Sequence, residues 1–167
     1  MLRKAKVSDA RDIYKLINEY AKENILLPRS LSSIYDNIRD FWVWEEEGNV
    51  VACGALHIVW EDLAEIKSFA VDRKYQGRGI GEEIVRACLK EAKELGIKRV
   101  FALTYIKEYF FKYGFYEIPK EILPHKVWGE CMMCVKFPNC DETAVLIELD
   151  REVEKDESYH RSSAEKD

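Results

Sequence analysis

Residues 64–85 read AEIKSFAVDRKYQGRGIGEEIV, and this stretch decides the fold. An apolar strand pattern is followed by Gly77, Gly79 and Gly81 within five residues, and then by apolar residues at helical spacing. The first N–H groups of a helix have no intrahelical partner and carry the positive end of the helix dipole. Glycines let the backbone before the helix curl so that several N–H groups converge. The stretch therefore predicts a site for an anion such as a pyrophosphate.

Two common nucleotide-binding motifs do not fit this turn. It lacks the Lys-Ser/Thr pair that completes a P-loop, and it is not the GxGxxG that follows the first strand of a βαβ unit. A flexible loop without a ligand is the alternative for a glycine triplet taken alone. The pattern Gln76-x-x-Gly79-x-Gly81, placed after a strand ending in Ala-Val-Asp, is more specific than any of these.

The composition predicts one domain with a substantial core. The chain has 167 residues, of which 47% are hydrophobic. The net charge of −5 and the absence of a basic stripe argue against a nucleic-acid partner. No apolar run approaches the roughly 20 residues of a membrane span, and the N-terminus lacks the apolar region of a signal peptide. We therefore expect a cytoplasmic protein with small-molecule partners and no membrane association, and the sequence leaves a homodimer open.

Periodicity predicts an α/β fold with a mixed, mostly antiparallel sheet. Ser8 is a candidate N-cap for a first helix, and a shorter helix follows near residues 31–38. Then come a hairpin, the strand LAEIKSFAV, a helix ended by Gly96, the strand RVFALTY, the short helix KEYFFKYGF and the strand AVLIEL. On LAEIKSFAV, simple alternation puts Ile66, Ser68 and Ala70 on one face and Glu65, Lys67, Phe69 and Val71 on the other. We expect the domain to span residues 1–150, including a Cys-rich segment at 124–142, with a polar, disordered tail at 151–167.

With these motifs in place, residues 64–85 resemble the acetyl-CoA-binding core of the GCN5-related N-acetyltransferase (GNAT) superfamily. Its signature, Gln/Arg-x-x-Gly-x-Gly/Ala, corresponds to Gln76, Gly79 and Gly81, and KYGF resembles the end of the second cofactor-contacting unit. The resemblance covers residues 1–119 and implies helices on both faces of the sheet, with a parallel splay where acetyl-CoA enters. Within the superfamily, the chain resembles the single-domain amino-acid N-acetyltransferases that make N-acetylglutamate for arginine biosynthesis.

The resemblance implies a set of cofactor contacts. The backbone of Phe69, Ala70 and Val71 would hold the thioester and pantetheine. The turn would hold the pyrophosphate, and the second unit would contribute two side chains. These expected cofactor-binding residues are Gln76, Gly77, Arg78, Gly79, Ile80, Gly81, Tyr109 and Lys112.

Amine acetylation requires a base for the substrate ammonium and an acid for the departing thiolate. Glu65 is the candidate base, because it interrupts an otherwise apolar strand and the resemblance places a catalytic glutamate there. Many relatives use a tyrosine as the acid, but Phe110 stands at that position. Thr104, Tyr105 and Tyr109 are the alternatives, and each can equally be a strand-end polar residue or a packed aromatic.

Glutamate would need cations for its two carboxylates. Arg29 matches a basic position of the family's substrate loop, and Lys67 and Lys107 are further candidates. Glutamine, another amino acid or a protein N-terminus remain as acceptors, whereas Arg29 and Lys67 disfavour a polyamine. A non-catalytic acetyl-CoA or metal sensor is the alternative from another class.

A cysteine cluster, Cys131-x2-Cys134-x5-Cys140, offers three thiolates, and His125 or Asp141 could complete a structural zinc site. The apolar neighbours in the same segment equally fit a packed flap in which cysteines are fillers. Zinc is therefore not favoured, and the chemistry above requires no metal.

Overall fold

The computed structural model describes residues 1–124 and 142–149, which form a seven-stranded sheet in the order β1-β2-β3-β4-β5-β7-β6. The strands are β1 Leu2–Lys4, β2 Phe41–Glu46, β3 Asn49–Trp60, β4 Leu63–Val71, β5 Arg99–Thr104, β6 Tyr116–Ile118 and β7 Thr143–Glu148. The helices are α1 Ala10–Ala21, α2 Leu31–Asp36, α3 Ile80–Glu94 and α4 Lys107–Phe111. Neighbouring strands pair antiparallel, except that β4 and β5 are parallel. The predicted mixed, mostly antiparallel sheet is confirmed.

Helices cover both faces of this sheet, as predicted. On one face α3 packs over β3 and β4, and its buried side chains belong to the same apolar cluster as Ala52, Leu56 and Ile66. On the other face α1 and α2 form a cluster with Cys53, Ala55 and Ala70. We call the side of the sheet that α3 covers the α3 face, and the side that α1 and α2 cover the α1 face. None of the helices in the described ranges is both long and apolar enough to cross a membrane.

Two local predictions near the N-terminus are corrected. Strand β1 was not predicted, because three partly buried residues are too few to show a period, and pairing with β2 forms it. Ser8 does not cap the first helix, which begins at Ala10. Instead the Asp9 carboxylate accepts a hydrogen bond from the Lys6 backbone N–H at 2.7 Å. It also accepts hydrogen bonds from both Nη atoms of Arg3, at 2.7 and 3.0 Å. These contacts hold Asp9 in the 3₁₀ turn before α1.

The ion pair between Arg3 and Asp9 should make an acid-sensitive contribution to the free energy of unfolding. The Arg3 guanidinium holds the pKa of the Asp9 carboxyl below its usual range, against the opposing effect of burial. A lowered folded-state pKa means that the stabilisation is complete above the unfolded pKa of about 3.9 and is lost as the pH falls through the folded value. We expect Asp9→Asn to lower the free energy of unfolding by about 1.5–3 kcal/mol at pH 7. The deficit relative to wild type should shrink towards pH 2, as measured by urea unfolding.

Asp62→Asn is the matched control, because Asp62 forms an exposed ion pair with Arg99 at 3.2 Å. Exposed pairs contribute little, so we expect a change below about 1 kcal/mol. If the Asp9→Asn deficit were as large at pH 2 as at pH 7, the Arg3 pair would not be its source.

The parallel pair is short, and this opens the sheet. Strands β4 and β5 pair only where Leu63–Glu65 faces Arg99–Phe101, although both strands continue well beyond these residues. After Glu65 and Phe101 the two strands separate. The predicted parallel splay is therefore present, with Glu65 in the last paired position.

A bulge in β4 lies just beyond that point. Cys53 faces Ala70 and Ala55 faces Lys67, so β4 advances three residues while β3 advances two. Ser68 takes the extra position with a left-handed φ of 54°, which is uncommon for a residue other than glycine. The Cys53 thiol lies 3.3 Å from the Ser68 carbonyl oxygen, which accepts a hydrogen bond from it.

The bulge overturns the predicted faces of this strand. Phe69 and Val71 pack with Ile66 on the α3 face, whereas Ala70 belongs to the cluster on the α1 face. Glu65 lies on the α1 face, since its neighbour Ile66 lies on the α3 face. The alternation that grouped Glu65 with Phe69 and Val71 was wrong, because one inserted residue reverses the side of every residue after it.

Candidate active site

A cavity of about 690 Å³ lies at the end of β4, beyond the residues that pair with β5. The end of β4, the glycine turn, the first turn of α3 and α4 contribute to its wall. Tyr20, Ile25 and Leu26, at the end of α1 and in the loop after it, contribute the rest. The cavity thus passes from the α3 face to the α1 face through the splay.

The glycine turn is built as the sequence predicts. Gly77 and Gly79 have φ values of 78° and 79°, a conformation that residues with a Cβ rarely adopt. Gly79 occupies the N-cap position of the 15-residue helix α3. The next three residues, Ile80–Glu82, line the cavity together with Gly77 and Gly79. Because amides in a first helical turn have no intrahelical acceptor, this wall of the cavity fits an anion.

Gly81 has a different reason to be glycine. A Cβ there would lie 2.7 Å from the Tyr109 hydroxyl oxygen and 3.0 Å from Cζ of Phe69. The absence of a side chain lets the first turn of α3 approach the aromatic rings of β4 and α4. Gly81 therefore serves the packing of α3 against β4 and α4.

Gln76 lines the cavity, but its side chain is used within the protein. Its Nε2 donates to the Tyr20 hydroxyl oxygen at 2.8 Å and to the Val71 carbonyl oxygen at 3.3 Å. The Tyr20 hydroxyl in turn donates to that same carbonyl. Gln76 therefore fixes the end of β4 to α1. Tyr20 was not singled out from the sequence, because an aromatic residue on the buried face of a helix gives no signal of a site.

Arg78 and Lys112 are both exposed but differ in position. The Arg78 guanidinium lies 5.1 Å from the centre of the Tyr75 ring, and Arg78 is not among the residues lining the cavity. Lys112 does line it, with Nζ 5.1 Å from the centre of the Tyr109 ring. Lys112 therefore brings a cation to the cavity wall, whereas Arg78 lies outside it. The cofactor-binding roles of both residues stay predictions.

Two tyrosines give the cavity a proton donor. The Tyr113 hydroxyl donates to the Tyr109 hydroxyl oxygen at 2.8 Å, and both residues line the cavity. Burial raises the pKa of Tyr109 above its ordinary value, and the pKa of Tyr113 is also raised. Tyr109 therefore stays protonated at neutral pH. Phe110, at the position of the family's tyrosine, is instead buried against Phe69 and Phe115.

Glu65, the candidate base, lies towards the α1 face, as do Lys67 and Arg29, the candidate residues for binding the substrate carboxylates. Glu65 is only 9% exposed and ends the paired part of β4 and β5. Lys67 follows on the same face, half-buried and before the bulge. Arg29 precedes α2, and its Nη1 is 3.4 Å from the Ser33 hydroxyl oxygen. The cluster of α1 and α2 packs on this same side of the sheet.

Thr104 and Lys107 lie away from this group. Thr104 alternates with Val100 and Ala102 of the α3-face cluster, so it lies on the opposite face from Glu65. Its Oγ1 accepts a hydrogen bond from the Ile106 N–H at 2.9 Å, in the turn that begins α4. Lys107 Nζ is 3.4 Å from a Glu117 carboxylate oxygen. Of this segment Ile106 lines the cavity, and Thr104, Tyr105 and Lys107 do not.

The cysteine cluster falls outside the described residues, as do His125 and Asp141. Among the residues that are described, no group of three or more His, Cys, Asp or Glu side chains could hold a metal ion. The zinc hypothesis for Cys131, Cys134 and Cys140 stays untested.

The splayed sheet and the glycine turn define an acyltransferase fold, and the chain belongs to the acetyltransferase (GNAT) family, whose sequence model matches residues 8–117. The chain is 42% identical over 140 residues to the amino-acid acetyltransferase of Mycobacterium tuberculosis, covering 82% of this chain and 79% of that protein. It is 38% identical over 145 residues to the uncharacterised N-acetyltransferase CT2212 of Chlorobaculum tepidum, covering 87% and 94%.

Solved structures agree with this assignment. Rv2747 of Mycobacterium tuberculosis, in complex with CoA and NLQ, superposes with a TM-score of 0.78 at 35% identity, covering 89% of this chain and 98% of that one. N-acetylglutamate synthase of Neisseria gonorrhoeae, complexed with coenzyme A and N-acetyl-glutamate, gives 0.81 at 28% identity, covering 89% of this chain and 35% of that one. The GNAT fold, the acetyltransferase activity and acetyl-CoA as cosubstrate are confirmed.

Proposed function

We propose that the protein transfers the acetyl group of acetyl-CoA to the α-amino group of L-glutamate, the first step of arginine biosynthesis. The observation that carries this proposal is the placement of a buried carboxylate, Glu65, with Lys67 and Arg29 on the same side of the splay. An acceptor with one ammonium and two carboxylates would match one base and two cations. The amino-acid acetyltransferase of Mycobacterium tuberculosis and the Neisseria synthase support the same acceptor class.

Acetyl-CoA would bind in the cavity, with its parts held by different groups of the cavity wall. The backbone amides at Gly79–Glu82 would bind the pyrophosphate, with Lys112 adding charge. The backbone of Phe69–Val71 would pair with the pantetheine and thioester, since β5 has separated from β4 there. The Val71 carbonyl already accepts from Tyr20, so it has less capacity left for the ligand than the other backbone groups of β4.

The reaction needs one base and one acid. Glu65 would remove a proton from the substrate ammonium, and the free amine would attack the thioester carbonyl. As the C–S bond breaks, the sulfur must gain a proton or a hydrogen bond. Tyr109 is the side chain that best fits this role, because it lines the cavity and accepts from Tyr113, so its own hydroxyl hydrogen is left to donate. Thr104 and Tyr105, the other candidate acids, have no comparable position in the cavity wall.

Glutamine is the second candidate acceptor, and the position of Lys107 favours it. The predicted third cation is paired with Glu117 rather than placed at the cavity. Recognition of two carboxylates would then depend on Arg29 and Lys67 alone. Glutamine has only one carboxylate and would need only one of these cations.

A panel of acceptors tests the proposal. Acetyl-CoA consumption should be fastest with glutamate or glutamine, and much slower with aspartate, a polyamine or a peptide N-terminus. We expect Arg29→Ala to raise the KM for glutamate by about 10- to 100-fold, since each tenfold corresponds to 1.4 kcal/mol of lost carboxylate binding. Arg11→Ala, a change of an exposed arginine in the first turn of α1, is the matched control and should leave KM unchanged. No turnover with either amino acid would contradict the proposed acceptor.

A further inference from the structure

A histidine–aspartate pair lies beside the candidate base and was not singled out from the sequence. Nδ1 of His57, in β3, is 2.8 Å from Oδ2 of Asp40, the residue just before β2. The two side chains are 32% and 26% exposed, so the pair sits at the border of protein and solvent. A carboxylate at Nδ1 fixes the orientation of an imidazole and leaves Nε2 for another partner.

His57 is directly opposite Glu65. The two residues face each other in the antiparallel register of β3 and β4. Their neighbours Leu56 and Ile66 both belong to the α3-face cluster, so His57 and Glu65 share the α1 face. Opposed side chains in such a pair have Cβ atoms about 5 Å apart. The imidazole is therefore within reach of the Glu65 carboxylate, directly or through one water.

Amine acetylation must discharge a proton at each turnover. The substrate ammonium carries three hydrogens and the amide product retains one. Of the two protons released, one ends on the CoA thiol and the other must reach solvent. Glu65 takes a proton before the amine attacks, but it is only 9% exposed. A buried carboxylic acid needs a route by which to return to the ionised form.

We propose that His57, oriented by Asp40, accepts the proton from Glu65 and passes it to solvent. This inference rests on the proposed role of Glu65 as the base. In each cycle Glu65 gains a proton from the ammonium and loses it to Nε2 of His57, and the imidazolium then loses a proton to water. Both residues return to their starting states without any further reactant.

Several charged groups face the imidazole and set its environment. Asp40 contacts it from the turn before β2, Glu65 lies opposite on β4, and Lys67 is diagonal to it on the same strand. Arg39 adjoins Asp40 and is exposed. Two carboxylates and two cations thus surround the imidazole.

The alternative is that the pair only ties the turn before β2 to β3. Such a structural role would lower the unfolding temperature when the pair is broken but would not create a demand for an added base. The experiment therefore combines turnover with chemical rescue. His57→Gln and Asp40→Asn are compared with Asp62→Asn, which alters the exposed ion pair between Asp62, in the β3–β4 connection, and Arg99.

We expect His57→Gln to lower kcat by about tenfold or more in weakly buffered solution, with the Kd of CoA unchanged. Added imidazole should restore kcat in a concentration-dependent manner, because the position is open to solvent. Asp40→Asn should give a smaller loss, and Asp62→Asn none. Restoration by imidazole would establish the relay, since a purely structural loss would not respond to it.

An unchanged kcat in His57→Gln would overturn the inference. A loss of kcat that added imidazole does not restore, and that parallels a lowered unfolding temperature, would overturn it as well. If Glu65 were not the base, the result would be different, because Glu65→Gln would then keep its turnover. An inactive Glu65→Gln beside a fully active His57→Gln would reject the relay and leave the base in place.

Discussion

Glu65→Gln is expected to lower kcat by about 10²- to 10⁴-fold, the range that a positioned general base contributes. The substitution keeps the size and hydrogen-bonding capacity of the side chain but removes its ability to take a proton. The Kd of CoA should stay within about twofold, because Glu65 is not among the residues lining the cofactor cavity. Thiol release from acetyl-CoA measures the first quantity, and calorimetric titration with CoA measures the second.

The pH dependence sharpens this test. Without its base, the enzyme must use the fraction of amine that is already free in solution, so the rate of Glu65→Gln should rise with pH more steeply than that of wild type. Glu61→Gln, a change of an exposed carboxylate at the start of the β3–β4 connection, is the matched control and should keep full activity. A Glu65→Gln enzyme with wild-type kcat would reject the base. A wild-type protein that binds CoA but has no turnover would favour the non-catalytic sensor.

The second large effect is expected for the glycine turn, where the chain offers an unusually close control. Gly79 and Gly48 have φ values of 79° and 80°, and a Cβ at either position would meet no atom within 4 Å. Alanine at either site should cost about 1–2 kcal/mol of stability through left-handed backbone strain. Only Gly79 forms the cap of α3 and lines the cavity, whereas Gly48 lies in the β2–β3 turn.

We therefore expect Gly79→Ala to raise the Kd of CoA at least tenfold, or about 1.4 kcal/mol, and Gly48→Ala to leave it unchanged. The reason is that relief of strain moves the first amides of α3, and the new methyl group occupies ligand space. Calorimetric titration, combined with urea unfolding of both variants, separates binding from stability. Equal Kd values in two equally destabilised variants would show that the turn does not bind the cofactor.

Most helices and strands could be predicted because their signals are local. The helix after the glycine turn shows apolar residues at helical spacing and ends at Gly96, which has the left-handed φ of 81° expected of a C′ residue. Strand β4 has the predicted bounds of Leu63–Val71. The failures have equally physical causes. Strand β1 is three residues long, and Asp9 rather than Ser8 directly precedes α1, with its carboxylate bound to Arg3 of that separate strand.

The sequence by itself determined the backbone of the glycine turn, where we propose that the cofactor binds. Glycines at 77, 79 and 81, placed between a strand and a helix, specify a turn and a row of amides that depend on the local chain alone. The same local information identified Glu65 as an unusual carboxylate in an apolar strand. The resemblance that these residues carry implied the family and cosubstrate, and the turn itself forms without distant partners.

Only the tertiary structure decided which side chains meet. The bulge at Ser68 separates Phe69 and Val71 from Glu65, pairing with β3 brings His57 opposite Glu65, and Gln76 turns to Tyr20 of α1. Strand register and bulges arise from pairing between distant segments, and one inserted residue reverses every side chain that follows it. Periodicity within a strand cannot carry that information. The acceptor side of the site is therefore a product of the sheet as a whole.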